Sequence, residues 1–353
     1  MKTQSLIQFL FSFLSLSCAI FCDESFSLVE SREMPLMEVV DRRGTWERKS
    51  SFAAANARIL GAMFRNFLTK LHTSYYPHNT HIFLQPILCK ETGKYCYPEE
   101  ILPWNHPEAR ENQGLILFIH GWKGLPHNWH EYLIKIKRDR LGFCCLAPHV
   151  ISEGNCSLEE AAKPLLAIVK DYAVKNPCKP IVLIGTSNGG RIAMHLESQL
   201  AVEDLDGRCF SLVSLAGVHY GTKFVDYLTS CNMVWTSQMD SHILEDFSWQ
   251  SQMATECLGD WREKQLIWRA NGIQASHLFC VTTEDGQVYP LSCSLPRPPL
   301  EAIDCCNYRV YHGENHLSIV PAACNDVLHW VKQACRRHEC SHCISESCNI
   351  LDL

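Results

Sequence analysis

The chain has 353 residues, 46% hydrophobic and 20% charged, with a formal net charge of −6 at pH 7. That composition is enough to bury a large core and excludes an intrinsically disordered chain. The mild negative charge gives no reason to expect nucleic acid as a partner.

Residues 1–22 read MKTQSLIQFLFSFLSLSCAIFC, in which Lys2 precedes a nearly unbroken apolar stretch from Leu6 to Phe21 with small Ser17 and Ala19 near its end. This is the pattern of an export signal cut between Ala19 and Cys22, so the mature protein is expected to be secreted, periplasmic or envelope-associated. A retained anchor and a lipoprotein site at Cys18 are the alternatives, the stretch being short for a membrane span. Twenty cysteines agree with export and lead us to expect disulfides. In the Cys-rich tail, residues 336–353, Cys340 and Cys343 have C-x-x-C spacing beside His338 and His342. A disulfide staple is the first reading of that tail and zinc the second. The adjacent pairs Cys144–Cys145 and Cys305–Cys306 lie in apolar or turn-like contexts and read as structural.

After the signal, residues 23–50 are charged and are expected to form a loose arm. Residues 51–71 place Ala54, Ile59, Leu60, Met63, Phe64, Phe67 and Leu71 at helical spacing, which predicts an amphipathic helix. The runs GLILFIHGW, GFCCLAPH, PIVLIGTS and CFSLVSLAGV then read as strands. Between them HNWHEYLIKIKRD, a segment opening with Ser157 and Glu160, and GGRIAMHLESQLA read as helices. Continuous apolar strands alternating with helices predict a mostly parallel sheet covered on both faces, in a domain spanning residues 51–335. Residues 222–275 interrupt the rhythm with Trp235, Trp249, Trp261 and Trp268 and with Met233, Met239 and Met253. A helical lid or cap facing a substrate is expected there, with simple packing against the sheet as the alternative. Two more strand-like runs, HLFCVTTEDGQVYP and YRVYHGENHLSIV, precede a closing helix.

The stretch Gly185-Thr186-Ser187-Asn188-Gly189 falls where a strand turns into a helix. A serine hydroxyl is a weak nucleophile that needs a base and a pocket for developing negative charge. A tight strand-to-helix turn lifts the hydroxyl out of the sheet edge and aims a helix N-terminus at that charge, and Gly185 and Gly189 leave room for the turn.

These residues resemble the nucleophile elbow of the α/β-hydrolases, in their lipase and esterase branches. LILFIHGWKG resembles the strand and oxyanion loop of that family, which implies backbone N–H donors at Trp122 and Asn188. AGVHYGTKFVD, TTEDGQVYP and GENHLSIV resemble, in order, the segment after the next strand, the turn carrying the acid and the loop carrying the catalytic histidine. The resemblance covers roughly residues 112–335 and implies a triad of Ser187, Asp285 and His316, in the chain order of this fold. Glu284 is the alternative acid and His312 the alternative base, while His120 and His219 suit loop-holding roles. Thr186, Asn188 and Val218 depart from common lipase residues and weigh against a true triacylglycerol lipase. The implied activity is hydrolysis of a carboxylic ester, small or lipidic, through an acyl-serine, with no metal or organic cofactor and with peripheral contact to a membrane. Acyl transfer to another alcohol, or a non-catalytic Cys-rich envelope or binding protein, are the other readings.

Overall fold

Strands that are apolar at every position can be satisfied only when both faces of their sheet are covered, and such strands build the centre of this molecule. The computed structural model describes residues 37–41, 86–90, 92–97, 102–105, 112–205, 208–230, 239–273 and 275–348. The expected export signal and the expected helix over residues 51–71 lie outside the described residues.

Seven strands form one sheet: β1 (Met37–Asp41), β2 (Leu115–Ile119), β3 (Cys144–Leu146), β4 (Ile181–Thr186), β5 (Phe210–Leu215), β6 (Ala275–Thr282) and β7 (Cys306–His312). Their order is β1-β7-β6-β5-β4-β2-β3 and every pairing is parallel. Alternate residues of each strand go to opposite layers. Leu115, Leu117, Ile119, Leu183 and Phe279 pack in one core cluster, whereas Ile116, Phe118, Val182, Ile184 and Leu278 pack in another. The first layer is covered by α2 (Leu158–Lys175), α3 (Asn188–Gln199) and α6 (Gln252–Ala270), and the second by α1 (His130–Arg138) and α7 (Cys324–Cys348). Two shorter helices, α4 (Lys223–Ser230) and α5 (Ser241–Phe247), lie between β5 and α6. The start of α2 is the expected capping box. Ser157 Oγ accepts from the Glu160 N–H at 3.2 Å, and Glu160 Oε2 accepts from the Ser157 N–H at 3.3 Å.

Four details go beyond the expectations. The arm over residues 23–50 is not wholly loose, because Met37–Asp41 pairs with β7 as an edge strand. Its Val39 and Val40 favour extended backbone, and the open side of β7 offers unpaired amides and carbonyls. The tail is helical as far as Cys348, since Cys324–Cys348 contains no glycine or proline to stop it. Cys144, Cys145, Cys257, Cys293, Cys305, Cys306 and Cys324 carry free thiols. Most of them fill core sites as small apolar side chains. Finally, residues 252–270 of the expected lid are the sheet-covering helix α6. Its Trp261 and Trp268 are fully buried in the core rather than turned toward a substrate, and truncating either would cost about 3–5 kcal/mol. Among the described residues no helix is long and apolar enough to cross a membrane.

Candidate active site

At the carboxyl end of β4 the chain reverses into α3 through Ser187, whose φ of 54° and ψ of −125° are rare for a residue with a side chain. The conformation is held by the Ser187 N–H, which donates to the Leu215 carbonyl at 2.9 Å, and by the Ser187 carbonyl, which accepts from Gly190 N at 3.0 Å. The turn is possible only with glycines on either side. A Cβ on Gly185 would run into the Gly189 carbonyl, and one on Gly189 into the Ile119 carbonyl of β2.

The loops after β6 and β7 meet beside this turn. His316 Nδ1 and Asp285 Oδ2 are 2.7 Å apart and both residues are buried. A carboxylate can only accept, so Nδ1 donates and Nε2 keeps its lone pair for a proton. The other oxygen, Asp285 Oδ1, accepts from the Gln287 and Val288 N–H groups at 2.8 Å each, which fixes the carboxylate plane. Two residues that the sequence reading missed hold the histidine loop. Asn315 Oδ1 accepts from the Leu317 and Ser318 N–H groups at 2.9 and 3.0 Å, and Thr282 Oγ1 donates to the Glu314 carbonyl. The only advance signal for Asn315 is an Asn followed three residues on by Ser, a common local turn pattern.

The alternatives go elsewhere. His312 Nδ1 pairs with Thr283 Oγ1 at 3.0 Å, and Asp285 rather than Glu284 meets His316. His120 accepts at Nε2 from the Val150 N–H (2.9 Å) and so donates from Nδ1 to the Gly121 carbonyl (2.8 Å), the loop-holding role expected of it. His219 Nε2 lies 2.8 Å from Ser214 Oγ, next to Gly185 in the sheet register. Burial, with the Arg191 guanidinium nearby, pushes this imidazole down to about 3.

Ser187 and His316 open onto one cavity of about 340 Å³. No hydrogen bond joins Ser187 Oγ to His316 among the described residues, an arrangement common before substrate tightens the site. Trp122 lines the cavity next to Gly121, and buried Asn188 supplies the first backbone N–H of α3 behind the serine. Phe224, Val225, Leu228, Met239, Phe247 and Val288 form an apolar wall, while His127, Asn128, His130 and Glu131 make a polar one. Burial and the stacked His130 ring, 5.2 Å away, hold His127 below the usual histidine range.

The apolar wall comes largely from α4 and α5, the part of the expected lid that does face the cavity. It is tied down at two points. Arg191 of α3, itself buried, donates to Asp246 Oδ2 at 2.7 Å and to the Asp246 carbonyl at 2.9 Å. On the other side Asn155 Oδ1 accepts from Trp122 Nε1 (3.2 Å) and from the Asp240 N–H (3.0 Å), joining the loop after β2 to the start of α5.

A parallel sheet with a strained serine between strand and helix, and with an acid and a histidine on the loops after later strands, has the α/β-hydrolase fold. No family model matches the chain. A curated relative, the "Putative 2-succinyl-6-hydroxy-2,4-cyclohexadiene-1-carboxylate synthase" of Haemophilus influenzae, is 27% identical over 164 residues, which is 43% of this chain and 57% of that protein. The chain thus spans a little over half the length of that relative. Similar solved structures include Est1E from Butyrivibrio proteoclasticus, with 16% identity, 71% of this chain and 98% of that one covered, and a TM-score of 0.44. The monoacylglycerol lipase of Paleococcus ferrophilus has 14% identity, coverage of 63% and 96%, and a TM-score of 0.41. Phospholipase PlaB from Legionella pneumophila has 18% identity, coverage of 47% and 37%, and a TM-score of 0.38.

Proposed function

We propose that this chain is an exported serine hydrolase that cleaves carboxylic esters, preferably lipidic ones, through an acyl-serine at Ser187. One observation carries the reading: a buried, oriented His316–Asp285 pair opens onto the same cavity as a serine held at a strained elbow. In this mechanism Ser187 Oγ attacks the ester carbonyl carbon as its proton passes to His316 Nε2. Asp285 stabilises the imidazolium through Nδ1–H. The carbonyl oxygen becomes an oxyanion and accepts from the backbone N–H groups of Trp122 and Asn188. Collapse breaks the bond to the alcohol, which leaves with the proton from His316. Water then repeats the sequence, releasing the acid and restoring the serine.

The cavity wall favours an acyl chain, since the side chains of α4 and α5 that it presents are apolar. Its volume of about 340 Å³ is near the lower end of ligand pockets, roughly 300–1,000 Å³, which suits a short or medium chain. An exported enzyme of this kind would meet a lipidic ester at a membrane surface, where the expected peripheral contact belongs.

The test is labelling of the full chain with a fluorophosphonate probe, beside Ser187→Ala, followed by hydrolysis of p-nitrophenyl esters of rising acyl length. Labelling lost in Ser187→Ala, with best turnover on short-to-medium acyl chains, is the expected result. A folded wild-type protein that takes no label and turns over no ester would overturn the reading.

A further inference from the structure

At the opposite end of the strands from Ser187, three potential metal ligands converge. His277 is near the start of β6 and Cys306 begins β7, and the parallel register sets these two residues side by side. Cys305, one position earlier, brings its sulfur 3.8 Å from Cys306 Sγ and 3.5 Å from His277 Nδ1. The ligand atoms of the three residues all lie within 4.8 Å of one another. A tetrahedral zinc site with the usual Zn–S and Zn–N bond lengths has S···S edges of about 3.8 Å and S···N edges of about 3.6 Å. Both measured separations match those edges.

The surroundings support a ligand role for His277 in particular. Its other nitrogen, Nε2, lies 2.6 Å from Glu197 Oε1, and both residues are fully buried. The carboxylate accepts there, so a proton sits on Nε2 and Nδ1 is the nitrogen left to face the sulfurs. Glu197 is itself fixed by Gln265 Nε2 at 2.6 Å and Trp261 Nε1 at 3.0 Å. A carboxylate that orients a histidine so that its free nitrogen meets a metal is the usual outer shell of such sites. An entry path also exists, because Cys305 lines a second cavity of about 480 Å³ with Gly272, Ile273 and Ser276.

We propose that His277 Nδ1, Cys305 Sγ and Cys306 Sγ bind one Zn²⁺ ion, with the fourth position supplied by solvent from the second cavity. The adjacent cysteines, which read as merely structural in the sequence, become paired ligands once the fold sets His277 beside them. Binding replaces two S–H bonds with two S–Zn bonds and releases two protons, one of them now donated by Cys305 to the Ala302 carbonyl at 2.8 Å. No electron changes hands. The site lies away from the hydrolytic cavity and does not depend on the function proposed above.

The test uses the full, tag-free chain reduced with a phosphine and then loaded with Zn²⁺ or Co²⁺. We expect one ion per chain, a tetrahedral thiolate–Co²⁺ spectrum, and metal protection of Cys305 and Cys306 from alkylation in the wild type, read by mass spectrometry. Cys305→Ser and Cys306→Ser should lose the spectrum, Glu197→Gln should weaken binding by about 10- to 100-fold, and Ser187→Ala should change nothing. The alkylation map needs no variant and stands if a cysteine variant fails to fold. No spectrum in reduced wild type, unprotected Cys305 and Cys306, or a signal that instead disappears in Cys340→Ser and Cys343→Ser would each overturn the proposal.

Discussion

The oxygen atoms of Asp285 have separate duties, one receiving the His316 proton donor and the other two backbone amides. Replacing the carboxylate by an amide removes the charge and permits the wrong imidazole tautomer. We therefore expect Asp285→Asn to lower ester turnover by about 10⁴-fold, and Glu284→Gln to change it little. Steady-state kinetics on one activated ester decides between the two acids, and the reverse ranking would reassign the role. Ser187 supports a second expectation. A side chain at φ 54° is strained, at a cost of about 1–3 kcal/mol, and glycine relieves it. Ser187→Gly should therefore be more stable than Ser187→Ala by about 1 kcal/mol in urea denaturation, and equal stabilities would mean that no strain is stored there. The serine was readable in the sequence because the glycines that its turn requires lie within five residues of chain. Asn315 was not, because its job is to hold a loop whose importance emerges only when Asp285 meets His316 across 31 residues of chain.

At the scale of elements, one buried ion pair anchors the end of α5. Arg191 and Asp246 are both almost completely buried, at 1% and 4% exposure, so removing either partner leaves the other charge without compensation. Asp246→Ala is expected to cost about 3–5 kcal/mol, whereas the paired replacement Arg191→Met with Asp246→Leu should recover most of it. Denaturant midpoints of the wild type, Asp246→Ala and the double variant check this, and a double variant no more stable than Asp246→Ala would sink the coupling. The parallel sheet and the capping box of α2 were legible because strand apolarity and Ser157-to-Glu160 spacing are local patterns. The extent of the lid was not. Tryptophans in a helix look alike whether they face a ligand or a core, and only the docking of α6 against α3 decides for Trp261 and Trp268. The edge strand Met37–Asp41 was hidden for a related reason, since a short segment in a charged region gains strand character only from a partner far along the chain.

For the whole molecule, His219 is a histidine buried without charge and so contributes to acid sensitivity. His219 has its pKa held near 3 in the folded protein, against about 6.5 in an unfolded chain. Between those values the unfolded chain binds a proton that the folded one refuses, so the stabilising contribution is complete above pH 6.5 and is lost as the pH falls toward 3. The slope is at most about 1.4 kcal/mol per pH unit. His219→Gln should flatten the fall in unfolding free energy between pH 6.5 and 4, and an unchanged slope would show that other groups carry it.

The pairing of β1 with β7 joins the earliest described strand of the chain to the last strand of the sheet. A ribosome delivers Met37–Asp41 long before Cys306–His312, so the sheet cannot close in the order in which it is made. During that interval Met37–Asp41 has no native neighbour to pair with, and once β7 has joined the sheet its outer edge stays open until β1 docks. Either one could pair instead with the corresponding strand of another nascent molecule. Joining this seam thus has to wait for the last strand of the sheet, and it is a step at which a crowded or interrupted synthesis would yield strand-exchanged products.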